Sequence, residues 1–589
     1  MKYDEKKFNS SVEGYKKILG NVEAKSFLVV FDISNKKAFF SLAPLSRAIH
    51  ELGADMNVMG INENSETLDV LHEVWKVFKQ NKEGKIDEKI EALVDFIDEV
   101  EKRAKGKFIG LFEGPDYILE AKEFGFEGSY TLPFKDGWFR EHRSKELDET
   151  CKKAWRDVYD LKNNEKVSVG FVLIQKDDML GHPLEDYLDS YVISWHMGHN
   201  CHGSSVVMGS YTQRKSMLQK SESISELKSV LLGCELCKNV DEEVFKKYKT
   251  LSGLLKLDRI TVVDASFFIS GKGYPGKHIF GEVIGYPSLD KKTRWQSPGQ
   301  MVYKLDFYPQ TALDEREPLA RVAFTETLPV DIFIETCNID WKEMRDRNWK
   351  IKEIADKCKL IKVYGEKIDG FQTDFEVGLV KKDGVHRWVR TSDTDVREKI
   401  SSEYLKRTGI KAGTMANLPG GEAFVTPEYV KGTIVGDVVI SIDQSYLLSE
   451  EKPLVVDARG DNYKIISGPK EIIEKLEEKK KDAWEMIMNQ ERFKSAPQEV
   501  IDLKKKNFNM INEFAMNTNP NAKLCNYLIV NEKIAKMIHI ALGSGFEPDR
   551  ATEYHTDIVI NSPRQKMNIY GVDEKGNKHW IIKEGEFVV

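Results

Sequence analysis

His539, His555 and Asp557 are the residues whose types and spacing first suggest chemistry in this chain, and all three lie in the segment MIHIALGSGFEPDRATEYHTDIVI, residues 537–560. Side chains alternate along an extended chain. In MIHIALG, Met537, His539 and Ala541 therefore face one way and Ile538, Ile540 and Leu542 the other. One imidazole thus points away from an apolar face. The same alternation aims His555 and Asp557 in a common direction, ahead of the apolar run Ile558-Val559-Ile560. Two histidines and an aspartate form a nitrogen and oxygen ligand set that suits zinc, cobalt, manganese or iron. The same pattern also describes a surface pair or a hydrogen-bonded histidine on a strand, so the segment alone leaves both readings open.

Two glutamates extend the set. Glu422 follows a Pro-Gly-Gly turn in ANLPGGEAFVTPE, and Glu513 lies in MINEFAMNTNP ahead of a polar turn. Taken singly, each reads as a surface glutamate. Added to His539, His555 and Asp557, they complete three carboxylates and two imidazoles, the inventory needed for two divalent ions roughly 3.5–4 Å apart.

The elements that must position these groups follow from periodicity. Residues 26–60 read as strand, helix, strand, beginning with the apolar run SFLVVFDIS that is typical of a buried parallel strand. A helix with Ile86, Ile90, Leu93, Val94 and Ile97 on one face and a strand KFIGLFE (107–113) continue an α/β layer. No GxGxxG follows the first strand, which gives a dinucleotide site little support. VSVGFVLIQ (167–175), RITVVDASFFIS (259–270) and VDIFIET (330–336) read as further strands. From about residue 361, period-two segments separated by Gly, Asp and Asn turns (KLIKVYG, DGFQTDFEVGL, HRWVR, GTIVGDVVIS, PLVVDARG, NYKIISG) predict an antiparallel sheet of bent strands. One amphipathic helix, from Pro469 to about Met488, interrupts it with a stripe of Ile472, Ile473, Leu476, Trp484, Ile487 and Met488. A second, from Gln498 to about Phe514, would carry Glu513 near its C-terminal end. The predicted fold class is an α/β N-terminal region followed by an α+β catalytic domain with a bent, largely antiparallel sheet. The expected domains are 1–160, 161–355 and 356–589.

The 589 residues exceed what one core usually supports, and 41% apolar with 31% charged residues is ordinary for a globular protein. A net charge of -7 argues against non-specific nucleic-acid binding and offers no basic membrane patch. Neither a signal-peptide core nor a run of spanning length is visible, so a cytoplasmic protein is expected. The 7 scattered cysteines fit a reducing compartment. Cys234 and Cys237 form a CELC pair with no completing ligand pair, and packing on a helix explains them. His196, His199 and His202 in WHMGHNCHG could approach one another on a helix and make a second metal or substrate contact. The glycines there favour a loop. The Gly-rich GKGYPGKHIFGE (271–282) lacks the ending of a phosphate loop and reads as a hairpin.

The C-terminal block, about 361–589, resembles the aminopeptidase T (thermophilic aminopeptidase, AmpS-like) family of dinuclear metallopeptidases. Its markers occur in family order: the Thr-Asp of FQTDFEVGL, NLPGGEAFVTPEYVKGTIVGD, the VVDARG strand, NEFAMNTNP, KMIHIALGSG and YHTDIVI. The resemblance implies Glu422, Glu513, His539, His555 and Asp557 as ligands of two divalent metal ions (Zn, Co or Mn), with Glu513 bridging. It further implies hydrolysis of N-terminal residues from short peptides through a metal-bridging water, with Glu513 relaying the proton, in a homodimer that encloses the site.

Phe546 stands where bacterial members carry an assisting tyrosine, so either Tyr554 or another phenol substitutes or the chemistry has shifted. The region ahead of the catalytic block is longer than the family's usual N-terminal domain. A group of ring-cleaving dioxygenases shares the resemblance and holds one Fe(II) with two histidines and an aspartate, so a mononuclear iron at His539, His555 and Asp557 is the alternative.

Overall fold

The computed structural model describes residues 2–23, 26–32, 35–61, 107–113, 126–135, 137–158, 166–175, 189, 192–193, 195–197, 199–200, 205–211, 265–270, 278–283, 320–323, 328–392, 415–493, 498–545, 548–550 and 552–589. The N-terminal half is built on a mixed ten-stranded sheet. Strand Ser26–Asp32 leads through helix Lys36–Glu51 to strand Asp55–Ile61, and the two strands pair in parallel as the strand, helix, strand reading requires. Lys107–Glu113 joins the other side of Ser26–Asp32 in antiparallel sense. Beyond Asp55–Ile61 the order runs through Ser205–Tyr211, Lys166–Gln175, His278–Val283, Ala320–Ala323 and Met415–Asn417, with Ala265–Ser270 flanking Lys166–Gln175. The expected helix over 86–100 lies outside the described residues.

Two antiparallel sheets form the C-terminal half. The first has eight strands, in the order Tyr463–Ser467, Leu454–Gly460, Tyr429–Gly436, Phe371–Gly378, Cys358–Ile368, Asn568–Asp573, Lys578–Lys583 and Glu586–Phe587. Its hairpin at Asp369-Gly370 places both turn residues at positive φ (48° and 78°), the signature of a two-residue turn that matches the twist of its strands. The second has seven strands: Arg390–Thr391, Glu422–Val425, Ile511–Asn517, Ile538–Gly543, His555–Ile560, Val439–Ser441 and Ser445–Leu447. The predicted α/β region followed by a largely antiparallel α+β region is the observed architecture.

Alternation decides which face of the seven-stranded sheet is core. Ala423, Val425, Phe514, Met516, Ile538, Ile540, Leu542, Ile558 and Ile560 project into one apolar cluster with Val363, Phe375, Val377 and Val456 of the other sheet. Helix Lys470–Phe493 adds Ile472, Leu476, Ala483 and Ile487 to that cluster, while Trp484 and Met488 of the expected stripe lie at its exposed margin.

Two elements differ from expectation. VDIFIET is helical, Val330–Cys337, because its buried residues Val330, Phe333, Ile334 and Cys337 recur at helical rather than alternate spacing. The helix begun at Gln498 stops at Asn507, and Glu513 sits on the strand Ile511–Asn517. There Phe514 and Met516 enter the core while Glu513, Ala515 and Asn517 take the opposite face, an alternation that a helix would scramble.

Gly543 closes the strand that carries His539. Its φ is +91°, and a Cβ would lie 2.3 Å from the Tyr554 carbonyl oxygen. Gly543→Ala is expected to destabilise the chain by about 1–3 kcal/mol through this backbone strain. Urea unfolding beside wild type would measure it, and an unchanged midpoint would refute the requirement for glycine.

Candidate metal centre

Strand register alone gathers the five sequence-selected groups. Glu422 pairs with Asn517, Ala515 with His539, Glu513 with Ala541, Ala541 with Asp557 and Gly543 with His555. Directly paired residues share a face, so Glu422, Glu513, His539, His555 and Asp557 all project from the side opposite the core. Ala515, Ala541 and Gly543 lie between them. Their small side chains leave the volume above the central strands to the longer ligating ones.

The geometry is that of a donor cage. His539 Nε2 is 3.7 Å from Glu422 Oε2 and 3.6 Å from Glu513 Oε1, and His555 Nε2 is 3.7 Å from Glu513 Oε2 and 3.1 Å from Asp557 Oδ1. Each ring is fixed from behind. His539 Nδ1–H donates to Asn517 Oδ1 at 2.9 Å and His555 Nδ1–H to the Ser544 carbonyl at 2.8 Å. Those bonds set the tautomer that turns an Nε2 lone pair toward the carboxylates, as metal-ligating histidines require.

Within the cage, Glu422 Oε2, Glu513 Oε2 and Asp557 Oδ2 are buried with no hydrogen-bond partner, and Asp557 Oδ1 faces His555 Nε2 at 3.1 Å. Buried polar atoms are normally satisfied, and acceptor-only oxygens converging on histidine nitrogens fit a cation. Among the described residues, three groups could hold a metal ion: Glu422, Glu513 and His539; Glu513, His555 and Asp557; and Glu532, His539 and Asp557, with ligand atoms within 4.8 Å of one another in each.

Sequence reasoning missed Glu532 and its neighbour Lys533. The Lys533 ammonium is buried and donates to Glu422 Oε1 at 2.6 Å and Glu532 Oε1 at 2.7 Å, while Asn417 Nδ2 reaches Glu422 Oε1 at 3.3 Å. A lysine and glutamate following LIVN carry no periodic signal.

Without a metal, the cage attracts protons. Burial pushes the Glu422 carboxyl up to about 7 against the opposing pull of Lys533. Burial would lower the His555 imidazolium, but Asp557 and Glu513 outweigh it and hold it at about 10. His539 is likewise depressed by burial and raised on balance by Glu513, Asp557 and Glu422. Asp557 is raised by burial and lowered on balance by His555. Ligating histidines must be neutral, so metal uptake near pH 8 is expected to release protons and to weaken as the pH falls. A dye-monitored titration in weak buffer measures that release, and its absence at pH 8 would contradict a protonated His555.

Tyr554 is not brought to the cage. Its neighbour His555 faces the cage, and alternation sends Tyr554 into the core, where its hydroxyl donates to the Phe508 carbonyl at 2.6 Å and lies 2.9 Å from Tyr463 Oη. The catalytic role expected of Tyr554 is therefore withdrawn. Phe546, Cys234, Cys237 and His202 lie outside the described residues. Residues 195–197 and 199 are helical rather than a loop. His196 is buried with Nδ1 on Asp148 and Nε2 3.1 Å from Glu141, and His199 stacks on Trp195 at 4.5 Å. Both ring nitrogens of His196 are thus occupied, which fits a structural histidine.

No protein-family profile and no curated protein matches the sequence. Among solved structures, 2,5-dihydroxypyridine dioxygenase from Pseudomonas putida KT2440 is similar at 11% identity and a TM-score of 0.41, over 76% of this chain and 99% of that one. Wild-type AmpT from Thermus thermophilus is similar at 14% identity and a TM-score of 0.36, over 76% of this chain and 100% of that one. Likenesses of this degree carry no argument about activity. No helix among the described residues is long and apolar enough to cross a membrane.

Proposed function

We propose that this chain is a metal-dependent aminopeptidase that removes N-terminal residues from short peptides at a pair of divalent ions. The observation that carries the reading is the membership of Glu513 in two ligand groups at once, with Glu422 and His539 and with His555 and Asp557. A carboxylate common to two such groups supports a bridging role, for which a single ion has no need. The resemblance of the motifs from Glu422 to Asp557 to those of the aminopeptidase T family supports peptide hydrolysis as the reaction. A homodimer in the cytoplasm belongs to the same proposal.

The donor set of imidazole and carboxylate suits zinc, cobalt or manganese. Bound divalent ions lower the pKa of water and polarise a carbonyl. The chain itself supplies the rest. His539 and His555 hold their Nε2 atoms toward the site through Asn517 and Ser544. Glu513 accepts a proton from the attacking water and returns it to the leaving amine, the general acid–base role for which its burial beside both imidazoles suits it.

A ring-cleaving reaction at one iron would use His539, His555 and Asp557 as a facial triad. The two histidines fall in different ligand groups, which favours two positions over that triad. Metal analysis of anaerobically purified protein, with hydrolysis of unblocked and N-acetylated short peptides in the same samples, tests the proposal. About two divalent ions per chain and cleavage from a free N-terminus alone are expected. A single iron with no hydrolysis would overturn it.

A further inference from the structure

Resting on the aminopeptidase reading, we infer that Glu532 is the residue that receives the free α-ammonium group of the substrate, and so restricts the site to unblocked N-termini. Four carboxylates surround the cage, and they differ in access. The side chains of Glu422, Glu513 and Asp557 are only 1–4% exposed, whereas that of Glu532 is 16% exposed. Glu532 follows the short helix Leu528–Asn531 and is the most exposed of the four carboxylates.

Its other side faces an unmet demand. The ligand atoms of Glu532, His539 and Asp557 lie within 4.8 Å of one another, and Asp557, wholly buried, has no hydrogen-bond partner on Oδ2, while its Oδ1 lies 3.1 Å from His555 Nε2. Glu532 and Asp557 thus form an acceptor-only face. It calls for a cation or a strong donor. A metal at this third position would have to share His539 with the Glu422 and Glu513 group and Asp557 with the His555 and Glu513 group. A primary ammonium is the better fit, because its three N–H donors can address separate oxygens without claiming a nitrogen lone pair.

Lys533 completes the argument. It holds Glu532 Oε1 at 2.7 Å and Glu422 Oε1 at 2.6 Å, which fixes the Glu532 carboxylate beside the ligand set. An acetylated N-terminus has lost both its charge and most of its donors, and its bulk would meet the same carboxylate. Discrimination against blocked peptides follows from the loss of a charge-assisted hydrogen bond and the uncompensated burial of its acceptor.

The test uses full-length, metal-loaded protein and ligands that cannot be hydrolysed. Binding of L-alaninol, L-leucinol and L-lysinol is measured by calorimetry beside their N-acetyl counterparts, for wild type, Glu532→Gln and Glu532→Asp. Wild type is expected to prefer at least one free amino alcohol over its acetylated form. Glu532→Gln, which keeps an oxygen for Lys533, is expected to lose about tenfold or more of that affinity with metal content unchanged. Glu532→Asp keeps the charge and should retain part of the preference. No preference in wild type, an equal loss for free and acetylated ligands, or loss of bound metal in Glu532→Gln would each overturn the assignment. If wild type binds free amines through Glu532 yet cleaves no peptide, the peptidase reading fails and the ammonium site stands.

Discussion

Glu513→Gln is expected to lower peptide hydrolysis by on the order of a thousandfold, the range that positioned acid–base groups contribute. Bound metal is expected to fall below two ions per chain in the same sample. Glutamine has almost the shape of glutamate, so the packing of strand Ile511–Asn517 should survive. What it lacks is a second anionic oxygen. Glu513 is the member common to two ligand groups, with Oε1 3.6 Å from His539 Nε2 and Oε2 3.7 Å from His555 Nε2. An amide can offer one acceptor to one side and presents N–H donors to the other, which repel a cation.

The loss of activity corresponds to about 4 kcal/mol of transition-state stabilisation. Stability of the metal-free chain should change far less, because the attraction of Glu513 for the His539 and His555 rings is lost together with its repulsion of the other carboxylates. Glu513 Oε2 is buried without a hydrogen-bond partner, and removing its charge relieves crowding among Glu422, Glu532 and Asp557. Steady-state kinetics, metal analysis and urea unfolding in chelator separate these effects. Wild-type activity with a full metal complement would overturn the role given to Glu513. Equal destabilisation with and without metal would show it to be structural.

The strands that carry the cage were legible because alternation is a local property. In Ile538–Gly543 one face is wholly apolar, and in His555–Ile560 Ile558 and Ile560 share theirs only with Thr556, which leaves His539, His555 and Asp557 on the other. Glu422 was legible through its glycine turn: Gly421 has a φ of +126° and a Cβ there would meet Asn519 at 2.7 Å. Glu513 was expected near the end of a helix and lies instead on the strand Ile511–Asn517, because the helix begun at Gln498 ends at Asn507. Tyr554 enters the core for the reason that His555 faces the cage, since neighbours along an extended chain face opposite ways. Glu532 and Lys533 were invisible because their partners Glu422, His539 and Asp557 lie on three separate strands, and nothing in a linear pattern reports contacts made across a sheet. The antiparallel half could be read from period two. The order of its strands could not, because the eight-stranded sheet closes by pairing Cys358–Ile368 with Asn568–Asp573 from the far end of the chain.

Lys533→Met is expected to destabilise the metal-free protein by about 3–5 kcal/mol, the cost of leaving a buried ionic partner uncompensated. The Lys533 side chain is 1% exposed and is the ammonium that Glu422 and Glu532 share. Methionine fills a similar volume, so the loss is electrostatic rather than a cavity effect. Divalent ions bring positive charge to the same carboxylates. The difference between variant and wild type should therefore shrink when both are loaded with metal. Linkage gives the pH dependence of the metal-free chain. The Glu422 carboxyl titrates near 7 in the fold and near 4.5 when unfolded, so the folded state binds more protons between those values. That contribution is fully present below about pH 4.5 and is lost as the pH rises through 7. Without Lys533 the Glu422 carboxyl is held higher still, and the variant's deficit should be smallest in mild acid and widen toward pH 8. Urea unfolding at pH 5, 6.5 and 8, in chelator and in zinc, reads both dependences. A deficit that ignores metal and pH alike would show that Lys533 acts through packing of its methylene stem and not as the resident countercharge of an anionic cage.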